Sequence, residues 1–442
     1  MQETEFLRVM EHMIPGWQLS TICAAHAPRA RTARKLPTEK LISGLIFHQL
    51  QPEGTLAGHC ARLHGVRVSD SAVTQQREHL GVEVFERVME CALEPLADRE
   101  RQPQSFFEGY RLLGVDGTQW SVGNTPAVLA QLPKAASRRL QAAFAKLRLV
   151  SVVELGTHAP VAARAAPVGE SEQALAGKLW GDIPEHSLVI GDRLFGVPLT
   201  LWQARQGCFG RDIHFLVRVR QDLNSEIIQY LSDGSALIEV TAQQNGRRLG
   251  KLRLREIRAE GIGRGGKRFE LRLWTTLLDA QRYAAEALAR GYAERWEQEL
   301  YFRELKLDVR SSPLLASHTV ETALQEIAAV VLGSAVIARL RIAASDELKV
   351  PPSRMSFLKL LHASQELWTA ISIMDTVLDQ PLTAEQRQRA FQEYLRIVRY
   401  AILPPRRARS CPRVVRQPVT KWPRKIDQPS YTGNVQIKVV RV

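Results

Sequence analysis

Three acidic residues lie in sequence contexts that could support metal-dependent chemistry: Asp116, Asp192 and Glu299. Asp116 follows an apolar run at 112–115, and Asp192 follows another at 188–191. Each run is typical of a buried strand, so both carboxylates are predicted at strand ends, where α/β sheets present reactive groups. The alternative is that each aspartate only forms a turn or caps a helix.

The most periodic helical pattern in the chain, at 284–309, carries Glu299. Tyr292, Glu299 and Lys306 are spaced seven residues apart, which is nearly two α-helical turns, so their side chains are predicted to form one stripe. Arg295 and Arg303 lie four residues before and after Glu299 and border the stripe. A metal-binding carboxylate among cations that bind phosphate would suit a phosphodiester site. The alternative is an exposed helix with ordinary ion pairs.

The overall charge favours a polyanionic partner. The 442 residues include 60 Lys and Arg against 46 Asp and Glu, a formal net charge of +14. We find no apolar run of transmembrane length and no signal peptide at the charged N-terminus. The five cysteines are scattered without a CxxC pair, which argues against a zinc site and for a reducing cytosol. Nucleic acid is therefore the expected partner, with no membrane.

The N-terminal part, 1–105, is predicted to be an all-helical DNA-binding domain. Within it, 54–81 contains two short helical patterns, with Ser69 as N-cap and Gly81 as C-cap of the second. This segment is either a helix-turn-helix or a plain helical hairpin. In the first case, the exposed face of the second helix would carry three residues: Gln75, Gln76 and Arg77.

The remainder is predicted to be α/β, followed by helices and an arm. A catalytic domain over 106–345 alternates strands and helices, and a β-rich block at about 212–278 fits an insertion better than a continuation of the sheet. Helices follow at 346–405. The basic segment 406–442 is predicted to be an extended arm that contacts DNA, since the last 42 residues carry ten Lys and Arg and one Asp.

Tyr292, Arg295, Glu299 and Lys306 fit the pattern Tyr-x2-Arg-x3-Glu-x6-Lys. This is the YREK signature of the insertion-sequence-four family of transposases, which the chain resembles over roughly 110–345. Four further segments resemble the family in the expected order: VDGTQW around Asp116, VVELGTHAP, GESEQAL, and GDRLFG around Asp192.

The resemblance implies roles for the matching residues. Asp116, Asp192 and Glu299 take the place of the family's DDE triad, on an RNase H-like core interrupted by a β-strand insertion, as in hairpin-forming cut-and-paste members. The triad would hold two Mg²⁺ ions, with Mn²⁺ able to substitute, because carboxylate oxygens suit hard cations. The phosphate-binding residues would be Tyr292, Arg295 and Lys306, and two further DNA-binding candidates are Arg303 and Trp296, which matches a family tryptophan.

The sequence therefore predicts a cytoplasmic, nucleoid-associated DNA transposase. It would bind transposon ends in double-stranded DNA, cleave them and transfer the 3′-hydroxyl strand into target DNA, as a homodimer on DNA. Two alternatives are a catalytically silent, transposase-derived DNA-binding protein and a metal-dependent nuclease that never joins strands. Trp274 is interpreted as a core residue, ahead of a base-stacking role.

Overall fold

The computed structural model describes residues 5–27, 35–51, 53–134, 142–262, 268–310, 312, 314–377, 382–404, 409–410, 431–432 and 436–440. The helices are α1 (Glu5–Met13), α2 (Gly16–His26), α3 (Thr38–Gln49), α4 (Leu56–His64), α5 (Asp70–Glu78), α6 (Val82–Ala92), α7 (Pro126–Gln131), α8 (Glu172–Gly177), α9 (Pro198–Gly207), α10 (Ala285–Gly291), α11 (Trp296–Arg303), α12 (Val320–Leu348), α13 (Phe357–Val377) and α14 (Ala384–Val398). The strands are β1 (Phe106–Phe107), β2 (Tyr110–Val122), β3 (Ala145–Glu154), β4 (Ala159–Pro167), β5 (Ser187–Gly191), β6 (Ile213–Arg218), β7 (Glu226–Tyr230), β8 (Ala236–Gln244), β9 (Arg247–Ile262), β10 (Arg268–Thr275), β11 (Leu314–Leu315), β12 (Arg409–Ser410), β13 (Tyr431–Thr432) and β14 (Gln436–Val440). This mixture of helices and long strands confirms the α/β class.

The chain forms two compact units. Met1–Pro184 and Trp296–Ile402 make up the first, and Glu185–Arg295 with Leu403–Val442 the second. The segment 292–306 carries the YREK signature and is called the signature helix below. Since Arg295 and Trp296 belong to different units, it contributes to both.

The first unit combines the N-terminal helices with an antiparallel sheet. β2, β3 and β4 form a three-stranded meander, and the short strand β11 pairs in parallel with the end of β2. One hydrophobic core includes residues of α1 to α6, α12 and the sheet, for example Leu45, Trp120 and Val331, all fully buried. The N-terminal helices are therefore packed against the sheet that includes β2, the strand of Asp116.

Two details of the N-terminal prediction were wrong. α5 begins after its predicted N-cap Ser69 but ends at Glu78, and Gly81 instead precedes α6 as its N-cap. Arg77 does not lie on an exposed face, because its guanidinium donates to Ser317 Oγ at 3.0 Å and to the Thr322 carbonyl at 2.6 Å. Gln76 donates to a backbone carbonyl as well. Of the three residues predicted to be exposed, only Gln75 is.

The second unit contains one sheet in the order β5-β6-β10-β9-β8-β7, with β14 added to β9. β5 and β6 are parallel, and β10 is antiparallel to β6. The β-rich block lies between Asp192 and Glu299 in the chain, where the β-strand insertion was predicted, and it also continues the sheet that begins with β5. The reason is that β6 pairs on one side with β5 and on the other with β10, so hydrogen bonds run unbroken into the block.

The helix predicted over 284–309 is not continuous. α10 is followed by a 3₁₀ turn at Tyr292–Arg295, then by α11, then by a π-helix at Glu304–Val309. The even stripe predicted for Tyr292, Glu299 and Lys306 was therefore wrong in detail, because it assumed 3.6 residues per turn throughout.

α12 is a 29-residue helix of the first unit. Among the described residues it is the one helix long and apolar enough to cross a membrane, and 83% of its most apolar window is buried. This qualifies the expectation that no run reaches that length, but such burial is typical of a core helix. Most of the predicted basic arm, 406–442, lies outside the described residues. Its described end forms β14, which pairs with β9.

Candidate active site

Asp116 lies in the middle of β2 rather than at a strand end. The strand continues for six more residues, to Val122, and Asp116 pairs in register with Ser151 of β3. Its carboxylate Oδ1 accepts a hydrogen bond of 2.8 Å from the Gly117 N–H, and the side chain is partly exposed. Because side chains alternate along a strand, Gly114, Asp116 and Thr118 share one face of β2.

α11 packs on this face of β2. Gln298 of α11 is fully buried and donates from Nε2 to Ser151 Oγ at 3.1 Å, in the position paired with Asp116. Its Oε1 would lie 2.8 Å from a Cβ built on Gly114, so the glycine allows the close approach. Glu299 is the next residue of this helix and is partly exposed. The helix that carries Glu299 thus crosses β2 beside Asp116.

Lys306 contacts the same face of β2 from the π-helix. Its ammonium donates to Thr118 Oγ1 at 2.5 Å and lies 5.7 Å from the centroid of the Trp120 ring. Burial, with a smaller contribution from Lys146, lowers the pKa of Lys306 to about 8. The ammonium therefore stays charged at neutral pH but is held in a poorly hydrated position, where a phosphate would stabilise it.

The two remaining candidates of the first unit are both exposed. Trp296 opens α11 with 44% of its surface exposed, and Arg303, the last residue of α11, is exposed as well. Both side chains are therefore accessible to a ligand, and their roles in DNA binding stay predictions.

Asp192 directly follows β5, as predicted. Its Oδ1 accepts from the Leu194 N–H at 2.7 Å, and its carbonyl accepts from the Phe195 N–H at 3.2 Å. The aspartate therefore forms the turn that the sequence offered as the alternative interpretation, and this turn fixes its carboxylate at the carboxyl end of the parallel pair β5–β6. The two roles are compatible, since the carboxylate remains partly exposed.

Arg218 is a candidate that the sequence analysis missed. The parallel register pairs Gly191 of β5 with Val217 of β6, so Arg218 is level with Asp192 on the neighbouring strand. Burial is the main cause that lowers the pKa of its guanidinium. Four other groups of the second unit also act on it electrostatically: Tyr292, Arg193, Arg295 and Asp192. The sequence could not reveal Arg218 as a candidate, because its position beside Asp192 depends on the parallel pairing of β5 with β6.

Tyr292 and Arg295 occupy the 3₁₀ turn, which lies beside β5. Tyr292 is 6% exposed, whereas Arg295 is partly exposed. Arg218 thus lies close enough to Arg193, Arg295 and Asp192 to interact with each of them electrostatically. Three arginines against this one aspartate are an excess of positive charge that suits a phosphate.

Trp274 is fully buried and donates from Nε1 to Glu256 at 2.9 Å, which confirms the core interpretation. In the part of the chain that the structure describes, no group of three or more His, Cys, Asp or Glu side chains is arranged to hold a metal ion. The donor set of the three predicted acids consists of carboxylate oxygens, which fits a hard divalent cation. The metal site therefore stays a prediction.

Comparison with known proteins identifies the family. The family model described as "Transposase DDE domain" matches residues 108–332. The chain is 26% identical over 401 residues to the transposase InsG for insertion sequence element IS4 of Escherichia coli K12, covering 88% of this chain and 87% of InsG. A solved piggyBac transposase synaptic complex with hairpin DNA is similar over 91% of this chain and 86% of that one, with a TM-score of 0.44 and 8% identity. The matched domain contains Asp116, Asp192 and Glu299, and the chain belongs to the DDE-domain transposases.

Proposed function

We propose that this transposase binds the ends of its own insertion element, cleaves them at a site formed by Asp116, Asp192 and Glu299, and joins the 3′-hydroxyl ends to target DNA. The observation that carries the proposal is the packing of α11 on β2. Gln298 and Lys306 contact residues on either side of Asp116, so the helix with the family signature lies on the strand with the first acid.

The three carboxylates would hold two Mg²⁺ ions, for which Mn²⁺ could substitute. When bound, a pair of such ions activates a water or 3′-hydroxyl nucleophile and stabilises the leaving oxygen. The same residues can serve cleavage and joining, because water and a DNA 3′-hydroxyl are interchangeable nucleophiles.

The cationic residues would hold the DNA backbone. In the second unit, Arg218 and Arg295 offer planar guanidinium donors that suit two phosphate oxygens at once. In the first unit, Lys306 offers a point charge that Thr118 orients at 2.5 Å. Tyr292 adds a hydroxyl group. These residues bind and orient the phosphate, while the carboxylates hold the metal ions that act on it.

Glu299→Gln tests the acid assignment. The probe is a duplex that carries the element's terminal inverted repeat, called the end duplex below. We expect the variant to lose Mg²⁺-dependent cleavage and strand transfer while it still binds the end duplex, because the amide keeps the shape but loses the charge. Glu321→Gln, an exposed acid at the start of α12, is the matched control and should cleave normally. Cleavage by Glu299→Gln near the wild-type rate would exclude the triad.

Strand transfer and assembly are tested separately. End duplexes that are already cleaved should be joined to a plasmid by the wild-type protein, whereas a protein that only cuts would leave them unchanged.

Because each chain would supply one site and an element has two ends, we also propose a homodimer on DNA. The mass of the complex with end duplex should correspond to two chains and two duplexes.

A further inference from the structure

A buried ionic cluster lies behind the signature helix, around His158. This residue belongs to the VVELGTHAP segment, to which the proposed function gives no role. It lies in the turn between β3 and β4, is 3% exposed, and has a φ of +60°, a left-handed conformation that is uncommon outside glycine. The turn therefore holds the imidazole in a defined position inside the first unit.

Both ring nitrogens of His158 contact carboxylates. Nε2 lies 2.9 Å from Glu297 Oε2, and Nδ1 lies 2.9 Å from Glu304 Oε2. A neutral imidazole has only one N–H, whereas the cation has two, so donation to both carboxylates requires the imidazolium. Burial opposes this charge, but Glu304 and Glu297 outweigh burial and raise the pKa of His158.

Glu304 is bound from a second side. Its Oε1 accepts from Arg341 Nη2 of α12 at 2.7 Å, and Arg341 also donates to the Thr157 carbonyl at 3.3 Å. Burial is opposed by Arg341 and His158, which together lower the pKa of Glu304 to about 2. Two cations thus hold the first residue of the π-helix, the point at which the regular helical hydrogen bonding changes.

The two glutamates lie behind the functional residues. Glu297 and Glu304 each precede one of them, Glu299 and Lys306, by two positions. In α11, two residues correspond to a rotation of about 200°, so Glu297 and Glu299 point to opposite sides. In the π-helix, Glu304 and Lys306 also point to opposite sides, since Glu304 bonds to His158 and Lys306 bonds to Thr118 of β2.

We propose that His158 is a positioning residue for DNA cleavage. Its imidazolium joins α11 to the π-helix from behind and fixes the rotation of both, so that Glu299 and Lys306 face β2. The strand that leads into this turn, β3, carries Ser151, which bonds to Gln298 and is level with Asp116. The position of the helix is thereby tied to the strand pair that holds the first acid. This inference rests on the proposed function of Glu299 and Lys306.

His158→Gln in the full chain is the test, because glutamine can bond to one carboxylate but cannot bridge two as a cation. The active fraction is first counted by titration with the end duplex, and single-turnover cleavage in Mg²⁺ is then measured per bound complex. We expect the rate per complex to fall about tenfold or more, since small misplacements of reacting groups are costly. We also expect amide hydrogen exchange over 296–309, measured without metal or DNA, to accelerate several-fold.

Glu256→Gln is the matched control for the loss of a buried charge. Glu256 is fully buried and accepts from Arg272 at 2.7 Å within the second unit. The Glu256→Gln variant should be less stable than the wild type, but its hydrogen exchange over 296–309 and its cleavage rate per complex should be unchanged. A purely structural role of His158 would lower the active fraction alone. An unchanged rate per complex in His158→Gln would therefore overturn the inference.

Two additional variants keep the outcome decisive. Should His158→Gln fail to fold, Glu297→Gln carries the same test, since it retains the imidazole and removes one of the two acceptor charges. A lowered rate per complex supports the inference, and an unchanged one overturns it. If the wild type lacks Mg²⁺-dependent cleavage, or Glu299→Gln retains it, the proposed function fails. If the wild type cleaves, Glu299→Gln does not, and only the His158 effect is missing, the positioning role alone fails.

Discussion

Lys306 combines burial with a position beside the strand of Asp116, and both features decide how its charge behaves. Its pKa of about 8 means that the ammonium loses its proton just above neutral pH, far below the ordinary range of lysine. A bound phosphate favours the protonated form, so binding at higher pH must take up a proton.

We therefore expect the affinity for the end duplex to weaken as pH rises from 7 to 9. Above pH 8, the loss attributable to Lys306 should approach about tenfold per pH unit, as for any single linked proton. Lys306→Arg is the control, because a guanidinium stays charged across this range. Fluorescence anisotropy at constant ionic strength measures the effect. An equally steep pH dependence in Lys306→Arg would show that another group is responsible.

Arg218 makes a second prediction at the scale of single residues. Arg218→Gln should slow cleavage of the end duplex, and it should reduce the slope of log affinity against log salt by about one unit if the guanidinium binds one phosphate. Arg248→Gln, which removes an exposed arginine from β9 of the same unit, provides the comparison. Equal slopes in both variants would mean that Arg218 contributes only net charge.

At the scale of elements, the close approach of α11 to β2 depends on a glycine. A Cβ at position 114 would lie 2.6 Å from Leu155 Cδ2 and 2.8 Å from Gln298 Oε1, both too close for van der Waals contact. Both atoms end buried side chains, so the new methyl group would force Leu155 and Gln298 to repack or the helix to move away from the strand.

Gly114→Ala should therefore destabilise the protein by about 1–3 kcal/mol, the usual cost of overpacking a core, and should slow cleavage beyond the loss of folded protein. Thermal unfolding and cleavage per bound end duplex measure the two effects. Gly123→Ala is the control, because nothing lies within 4 Å of a Cβ there. Normal cleavage per complex in Gly114→Ala would mean that the spacing of α11 and β2 is not critical.

The elements also show where sequence patterns are sufficient and where they fail. The apolar run at 188–191 predicted β5, and therefore placed Asp192 correctly after a strand. The extent of β2 was missed because the polar residues after Asp116 resemble a turn. The breaks around α11 were missed because periodicity in residue type does not report which backbone hydrogen bonds form.

Long-range partners explain the other differences. Arg77 lies in a polar, helical segment that suits an exposed face, but Gln325, 248 residues later, accepts its Nε–H. Arg218 came next to Asp192 only through the parallel pairing of β5 with β6. Such contacts depend on the path of the whole chain, whereas the four residues of the YREK signature lie within one short segment, and their types and spacing resemble the family's pattern.

For the whole molecule, the dominant physical property is the net charge of +14, much of which is carried by the basic C-terminal segment. Deleting this segment would be a poor test, because its end forms β14 and pairs with β9. Substitutions that spare β14 are better. The set for the test replaces five cations by glutamine: Arg413, Arg416, Lys421, Arg424 and Lys425.

We expect this set to weaken binding of the end duplex and to flatten its salt dependence by about 0.9 units for each phosphate contact that is lost. The matched set removes the same charge from exposed arginines that already have carboxylate partners: Arg87, Arg101, Arg290, Arg389 and Arg396. If the tail contacts DNA, only the first set flattens the slope. If both sets act equally, the tail contributes through long-range attraction alone, and an unchanged slope in the first set would assign its charge to solubility.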